Sequence, residues 1–562
     1  MGENAPDARP GTAENENVSV AEIADAAEAG EAGCDSSARD GRLQQCFEGA
    51  SRLGPLLLIC VFALYVWPAF LGRTPCFPSD PESGRILRHV MEQGAWPAPS
   101  AGGVAQWPGF SALFTIILKC AGYFGEITAF PALLAGLSAF CALLTLLGVW
   151  CLGLAARLGP RAALSAGLIL LCAPVSALLA NFTGPEILAV ALTLFSLCCF
   201  CRGWQREASG LAVPSGCLLA ALAALTGGPY YLLLPFLGSL VFLCWLGRVQ
   251  RAQKFDAVFG FALCLALIAA WLGAVMLWGN ADEYFRRLRA DLLPLGNTGA
   301  DFRRRALPDA GAALLGLLPW LALVVFVSWT RVAREAATTL KVARAERAGA
   351  AFVWIALACA ALLAPLASGP AGPGITLCAL AALLLGKALL RLSNFGSRFF
   401  YSFVVLCLLV SAAGMTALSF SHSGDWLART FNMALPPELS GDMALPGIGL
   451  CCLAAAFILV RFTNLAKPAG SLLACTLLAA ALAQPVMLWL EPRFCLNYGS
   501  MLWRRDGPEK KALSREQGAP APAEAGAGRE AAPKPEQPER ADAPAKPVAA
   551  PDAPEESRQS RP

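Results

Sequence analysis

Histidine and charged residues are scarce in this 562-residue chain. It contains 2 histidines, and charged residues make up 15% of the sequence, against about 25% in an ordinary soluble domain. Two histidines leave almost no ligands for a His-based metal site, so no metal-binding residue is predicted. The net charge of +4 is small for this length, and the basic residues are scattered rather than gathered on one face. A nucleic-acid partner is therefore not expected.

Long apolar blocks are what the chain has in excess. Hydrophobic residues make up 56% of the sequence, and the mean hydropathy is +0.54. A hydrocarbon core about 30 Å thick needs about 20 helical residues, which is close to the length of these blocks. The sequence thus predicts an all-α integral membrane protein and excludes a soluble enzyme. The thirteen predicted spans are residues 54–71, 131–155, 162–180, 186–201, 211–226, 229–246, 256–278, 311–330, 350–367, 374–391, 400–420, 446–460 and 470–490.

The two ends of the chain differ from the region between them. Residues 1–50 are acidic, polar and rich in alanine, without the basic segment and short apolar core of a signal peptide. Residues 505–562 are mainly Ala, Pro, Glu and Lys. Both lack the apolar residues that offset the entropy of ordering, so we predict disordered tails. The transmembrane domain is predicted to cover residues 51–504.

The distribution of Lys and Arg among the loops predicts the orientation. If the N-terminus is cytoplasmic, the basic short loops all fall on the cytoplasmic side and the short loops on the opposite side lack Lys and Arg, as the positive-inside rule requires. The cytoplasmic set includes Arg157, Arg161, Arg202, Arg206, Arg248, Arg251 and Lys254. Three longer loops are then on the outer face, and loops of such length are usually functional. They are residues 72–130, 279–310 and 422–445.

The first outer loop contains two segments that we predict as interfacial helices. Residues 85–93 place Ile86 and Val90 on one side and Arg88 on the other, as in a helix lying at the membrane surface. Residues 109–124 are apolar but short and carry Lys119, which favours an interfacial or re-entrant helix. A full crossing there would invert every later span.

Several weak motifs occur in a characteristic order between residues 54 and 390. They are Ser79-Asp80 followed by a helix and Gly94 to Pro99, then Pro185-Glu186, Thr226-Gly227-Gly228-Pro229 and Leu318-Pro319-Trp320. In this order the chain resembles the GT-C glycosyltransferases, which include the protein O-mannosyltransferases and the lipid A aminoarabinose transferases. A layout of thirteen spans is also that of the aminoarabinose transferases.

The resemblance implies a transferase at the outer face of a bacterial inner membrane. Such an enzyme moves a hexose or pentose from a polyprenyl-phosphate donor to a lipid, glycan or protein acceptor. The reaction needs a general base for the acceptor and cationic groups for the departing phosphate. The resemblance implies Asp80 as the catalytic base, with Glu82 as an alternative, and Glu186 as a supporting carboxylate. It implies no certain cofactor and leaves a divalent cation open.

The sequence departs from the family at several functional positions. The family's Asp-Glu pair becomes Ser79-Asp80, its Glu-Lys-Pro motif becomes Gln106-Trp107-Pro108, and its turn lysine becomes Gly227. A further family lysine is absent from Ser368 to Pro373. We predict that arginines of the second long loop replace this charge, and that Gln106 also binds substrate. These arginines are Arg286, Arg287, Arg289, Arg303, Arg304 and Arg305.

Other interpretations stay open at this point. The chain is alternatively a GT-C-like protein that binds lipid-linked glycan or acts as a scaffold without catalysis. A transporter or flippase would show broken helices and polar residues at mid-span, for which residues 226–229 give the one hint. The arginines would then bind anionic lipid head groups. Asp80 and Glu186 would serve only to stabilise the starts of helices.

Overall fold

The structure is a computed structural model of the chain. It describes residues 53–66, 79–94, 96–101, 104–120, 130–173, 184–205, 210–277, 281–292, 316–317, 320–326, 348–364, 371–390, 392, 394–418, 454–455 and 458. The side chains of some residues near the ends of these segments, including Asp80, Glu82 and Arg289, lie outside the description. All described residues belong to the first of two units of the chain, Met1–Trp503. The second unit, Arg504–Pro562, contains no described residue.

The described residues form fourteen α-helices, two strands and two short 3-10 helices. In chain order these elements are α1 (Gly54–Val66), α2 (Ser79–Gln93), β1 (Ser100–Ala101), β2 (Val104–Ala105), α3 (Pro108–Cys120), α4 (Phe130–Ala155), α5 (Pro160–Cys172), α6 (Pro185–Gln205), α7 (Ala212–Gly227), α8 (Tyr230–Leu246), a 3-10 helix (Val249–Gln253), α9 (Phe255–Leu277), α10 (Ala281–Leu292), a 3-10 helix (Trp320–Ala322), α11 (Leu323–Phe326), α12 (Ala348–Leu363), α13 (Ala371–Leu390) and α14 (Asn394–Leu418). The two strands form an antiparallel hairpin with Ser100 opposite Ala105.

Ten of the thirteen predicted spans coincide with a helix. These helices are α1, α4 to α9 and α12 to α14. Of the span predicted at 311–330, the described residues form only short helical turns, and residues 446–460 and 470–490 lie almost wholly outside the described residues. By length and composition, four described helices can cross a membrane. They contain Gly136–Ala155, Pro185–Gln205, Phe255–Leu277 and Gly372–Leu390. The helical, multi-pass architecture is confirmed, and the number thirteen stays a prediction.

Proline and glycine set several helix boundaries. Pro108, Pro160 and Pro185 are the first residues of α3, α5 and α6, where a missing backbone N–H costs nothing because the first turn has no acceptor for it. The end of α8 is closed by Gly247, which has the left-handed φ of 68° that glycine adopts without steric cost.

Helix α6 lies at the centre of the bundle. In the apolar, membrane-crossing stretch of α6, 78% of the residues are buried, against 17% in that of α9. Helix α9 therefore lies at the periphery. Helix α6 packs on α4, α7, α8 and α13. The Ser196 hydroxyl on α6 donates to the Gly216 carbonyl on α7 over 2.7 Å, which joins these two helices by a polar contact inside the apolar core.

Helix α2 has the two sides that the sequence predicts. Ile86, Leu87 and Val90 are buried, whereas Arg88 and Glu92 form an exposed ion pair of 2.8 Å. The helix begins at Ser79, six residues before the predicted start. The sequence prediction was too short because it took only the residues with amphipathic spacing. Pro81 lies in the first turn of the helix, where proline is tolerated.

Candidate active site at the loop-covered end of the bundle

One end of the bundle brings together several helix ends and the long-loop elements. We call it the loop-covered end: α6, α8 and α13 begin there, α7 ends there, and the segment before α3 packs on them. Close approach is visible at Gly109, where an added methyl group would collide with the Thr226 hydroxyl at the end of α7. This end carries the predicted residues Glu186 and Gln106.

Glu186 lies in the first turn of α6, where a carboxylate interacts favourably with the helix N-terminus. Its neighbours come from two other helices. A methyl group at Gly372, near the start of α13, would lie 3.1 Å from Glu186 Cβ and would collide with the Tyr231 hydroxyl of α8. Glu186 and Tyr231 also interact electrostatically. We call Glu186, Gly227, Tyr231 and Gly372 the Glu186 cluster.

Gly227 lies against Tyr231 and Ala189. A methyl group at this position would overlap the Tyr231 ring and would lie 2.6 Å from Ala189 Cβ. Tyr231 therefore occupies the space into which a side chain at position 227 would extend. The glycine and this tyrosine are one structural feature, since neither neighbour leaves room for a larger residue.

The Glu186 cluster contains buried polar atoms. The Tyr231 side chain is 1% exposed, and its hydroxyl has no hydrogen-bond partner among the described residues. One carboxylate oxygen of Glu186, Oε2, is also buried. Thr376, one turn into α13, donates to the Gly372 carbonyl over 2.9 Å. A buried hydroxyl without an acceptor costs free energy, so this position suits contact with a bound polar group.

A network of hydrogen bonds holds the long-loop elements together above this end. The Gln106 amide donates to the Ser83 hydroxyl of α2 over 3.0 Å, and the Gln106 carbonyl accepts from the Tyr284 hydroxyl of α10 over 2.7 Å. The Trp271 indole of α9 donates to the Pro97 carbonyl over 3.0 Å. The side chain of Gln106 thus holds two parts of the first long loop together, and its backbone carbonyl joins that loop to the second one.

Trp107 completes this layer. Its ring lies 5.6 Å from that of Trp271, and its indole nitrogen would be 3.0 Å from a methyl group at Gly228. The indole N–H is buried and has no acceptor among the described residues. The turn at Gly228, with a φ of 95°, is therefore covered by an aromatic donor and not by a charged side chain.

Helix α10 presents two of the predicted arginines. Tyr284 and Leu288 are buried against Trp271 and Val275, so the opposite side of the helix faces outward. Arg286 is exposed on that side. The other predicted arginines are placed differently or lie outside the description: Arg287 pairs with Glu283 one turn away, the Arg289 side chain is not described, and Arg303, Arg304 and Arg305 lie outside the described residues.

Asp80 is the second residue of α2, so its backbone lies in the first helical turn. Its side chain and that of Glu82 lie outside the description. The assignment of Asp80 as the base therefore stays a prediction. The described residues contain no group of three or more side chains able to hold a metal ion.

This architecture is similar to that of known protein structures. No protein-family model and no curated protein sequence matches the chain. Among solved structures, ArnT from Cupriavidus metallidurans bound to undecaprenyl phosphate is similar, with a TM-score of 0.60, 17% identity, and coverage of 82% of this chain and 81% of ArnT. The apo state of ArnT gives 0.58 and 19%, with coverage of 78% and 77%. ArnT is a lipid A aminoarabinose transferase of the GT-C superfamily. The chain has the GT-C fold.

The GT-C fold confirms the resemblance inferred from the order of the motifs. An identity of 17–19% supports the fold and carries no residue roles across. Sequence reasoning missed Tyr231 as a member of the site. The available signal was a pair of tyrosines, Tyr230-Tyr231, at the start of an otherwise apolar helix and next to the glycines of the turn.

Proposed function

We propose that this protein is a membrane glycosyltransferase that takes a sugar from a polyprenyl-phosphate donor and passes it to an acceptor at the loop-covered end. The supporting observation is the Glu186 cluster, where a carboxylate and a buried phenol lie at the starts of helices in a GT-C fold. The similar structure of ArnT was determined with undecaprenyl phosphate bound, which supports a lipid phosphate as the donor's carrier.

The proposed reaction assigns a task to four of the predicted residues. The acceptor hydroxyl or amine attacks the anomeric carbon while the bond from that carbon to the phosphate oxygen breaks. Asp80 takes the acceptor's proton, and polyprenyl phosphate leaves with the bonding electron pair. Glu186 supports the acceptor side, and the exposed Arg286 neutralises the departing phosphate, helped by Arg287 if its pair with Glu283 opens.

The proposed site implies an orientation. The donor's phosphate and the acceptor meet at a membrane surface, so the loop-covered end faces outward from a bacterial inner membrane and the N-terminus is cytoplasmic. The basic residues at the opposite end of the bundle support this, because the positive-inside rule puts them in the cytoplasm. Cysteine-accessibility labelling of an introduced Asp282→Cys, on the exposed start of α10, in intact cells would test the orientation.

The function is tested with purified protein in liposomes and a panel of polyprenyl-phosphate sugars, with released polyprenyl phosphate measured by mass spectrometry. Asp80→Asn is expected to lower kcat by about 10²- to 10⁴-fold, as for loss of a general base. Glu92→Gln is the matched control, since it removes an exposed carboxylate from the same helix. Equal activity of Asp80→Asn and Glu92→Gln would remove Asp80 from the mechanism.

A second function is favoured by the crowding at Gly227. The resemblance expects a phosphate-binding lysine at the position of Gly227, and Tyr231 and Ala189 leave no room there for a larger side chain. A protein that binds lipid-linked glycan without catalysis fits the absence of this lysine. Native mass spectrometry would decide between the two: retention of a polyprenyl-phosphate sugar, with no release of product from any donor, would establish the binding protein.

A further inference from the structure

Arg157 has an unusual backbone conformation at the end of the bundle opposite the loop-covered end. It closes α4 with a φ of 54°, and it is the one described non-glycine residue with a positive φ. The Arg157 N–H bonds to the Leu154 carbonyl over 3.0 Å, and the Leu158 N–H bonds to the Gly153 carbonyl over 3.1 Å. In this type of helix ending the left-handed position is usually glycine. An arginine therefore occupies a position at which glycine costs less.

Arg157 belongs to a group of arginines around the last turn of α6. Gln205 donates to the Ala155 carbonyl over 3.2 Å, which fixes that turn beside the end of α4. Arg251 donates to the Trp204 carbonyl over 2.7 Å. Arg202 lies on the same turn, and its side chain is exposed, as is that of Arg157.

The hydrogen bond from Gln205 to the Ala155 carbonyl brings the sites of Arg157 and Arg202 to one junction between helices. Arg157 comes two residues after Ala155, and Arg202 comes three residues before Gln205. Two like charges thus lie at the place where the ends of α4 and α6 meet. Neither Arg157 nor Arg202 forms an ion pair among the described residues.

This end of the bundle carries many basic residues. The others described there are Arg161, Arg248, Arg251, Lys254, Lys387 and Arg398, and Asp256 is the acidic residue found among the described ones there. Repulsion between like charges disfavours such a cluster unless an anion is shared.

Two simpler explanations account for only part of this arrangement. The positive-inside rule depends on the number of basic residues in a loop, and an arginine at any unstrained position of the turn would satisfy it. The negative end of α6 attracts cations, which explains the bond from Arg251 to the Trp204 carbonyl. Neither explains why an arginine holds the left-handed position 157 with its side chain exposed beside Arg202.

We propose that Arg157 and Arg202 form a binding site for the phosphate of an anionic phospholipid at this end of the bundle. Guanidinium groups bind phosphate oxygens through paired N–H donors, and the site lies where a loop meets the membrane surface. The exposure of both side chains allows a head group to reach them. This inference concerns the end opposite the Glu186 cluster and does not depend on the proposed glycosyltransferase activity.

The test uses the full chain purified in detergent, with chain-matched phosphatidylglycerol or phosphatidylcholine added. Binding is measured by native mass spectrometry and by the shift in Tm. The variants are Arg157→Gly, Arg157→Asn and Arg202→Gln. Glycine and asparagine both tolerate the left-handed conformation, so these changes remove the charge without disturbing the turn. Arg248→Gln is the matched control, because it removes one exposed charge from the same end.

For phosphatidylglycerol we expect each site variant to raise the apparent Kd about fivefold, the effect of one basic residue near an anionic head group. Arg248→Gln should change it much less, and phosphatidylcholine should not distinguish the variants. The unliganded Tm of Arg157→Gly should equal or exceed that of the unmodified chain. Equal weakening by Arg157→Gly and Arg248→Gln would mean diffuse charge and would overturn the site. Full competition by millimolar inorganic phosphate would overturn the assignment to a lipid.

Discussion

The packing of α13 on α5 can be tested with one matched pair of glycine substitutions. Gly386 lies inside α13 where that helix touches the backbone of α5: a methyl group there would be 2.7 Å from the Ala162 carbonyl oxygen and 2.8 Å from the Ala166 nitrogen. Gly273 lies inside α9, and a methyl group there would meet nothing within 4 Å. We expect Gly386→Ala to destabilise the protein and Gly273→Ala to stabilise it.

The magnitudes follow from two opposing effects. In a helix interior, alanine is more favourable than glycine by about 1 kcal/mol, and both substitutions gain this. Ordinary van der Waals contact begins at 3.4 Å, so the Gly386→Ala methyl group is too close to both α5 atoms. Backbone atoms cannot rotate away as a side chain can, and overpacking of this kind costs about 1–3 kcal/mol. The net expectation is a loss of up to about 2 kcal/mol for Gly386→Ala and a gain of up to about 1 kcal/mol for Gly273→Ala.

The assay is reversible unfolding of the purified chain in mixed detergent, followed by tryptophan fluorescence, with the free energy of unfolding compared between variants. Helix α13 also carries Gly372 in its first turn, against Tyr231, so a shift of α13 away from α5 would move this residue of the Glu186 cluster. If Gly386→Ala is as stable as Gly273→Ala, the close contact of α5 and α13 is wrong, and with it the placement of Gly372.

Three further tests, with four substitutions, concern the loop-covered end. Tyr284→Phe removes the 2.7 Å hydrogen bond to the Gln106 carbonyl, which is worth about 1 kcal/mol. This change should speed amide hydrogen exchange of residues 281–292 about fivefold while leaving Tm nearly unchanged. Unchanged exchange would mean that this bond does not hold α10. Gly372→Ala places a methyl group against the Tyr231 hydroxyl and should lower the free energy of unfolding by about 1–3 kcal/mol. Adding Tyr231→Phe to this variant should recover part of that loss. If the effects of the two substitutions on the free energy of unfolding are additive, the two residues are not in contact. Gly227→Lys restores the family's residue but overlaps the Tyr231 ring, so it should lower Tm and should not raise transfer activity; a stable and more active variant would refute the account of this turn.

The sequence alone predicted the helices well where apolar residues run without interruption. Helix α9 was predicted at residues 256–278 and begins at Phe255, because a long apolar block bounded by polar residues has few other solutions in a lipid environment. The start of α2 was predicted less well, because the amphipathic spacing used to place it begins only at Arg85, six residues after the helix starts. The two sides of α2 were nevertheless right, because the helical period fixes which residues share a side.

The candidate site, like the fold, was predicted from the sequence only in part. Glu186 was proposed from the resemblance of Pro185-Glu186 to a family motif, and its place in the first turn of a helix was readable from the sequence. The contact of Tyr231 with Gly227 could not be predicted from the sequence. It joins α7, α8 and α6 and depends on how closely their backbones approach. Gln106 was predicted to bind substrate, which stays a prediction. Its carbonyl accepts a hydrogen bond from Tyr284, so the structure gives it a part in joining the two long loops.

What the sequence determined by itself about this protein is the lipid environment in which it folds, the extent of most of its helices and, through the order of its motifs, the fold that it shares with ArnT. These depend on composition and on periodicity within single segments, which the surrounding structure does not alter. The tertiary structure decided which side chains meet at the loop-covered end and which arginine takes the left-handed turn beside α6. Such contacts are made between residues up to 178 positions apart, and no pattern within one segment contains the distance between two helices.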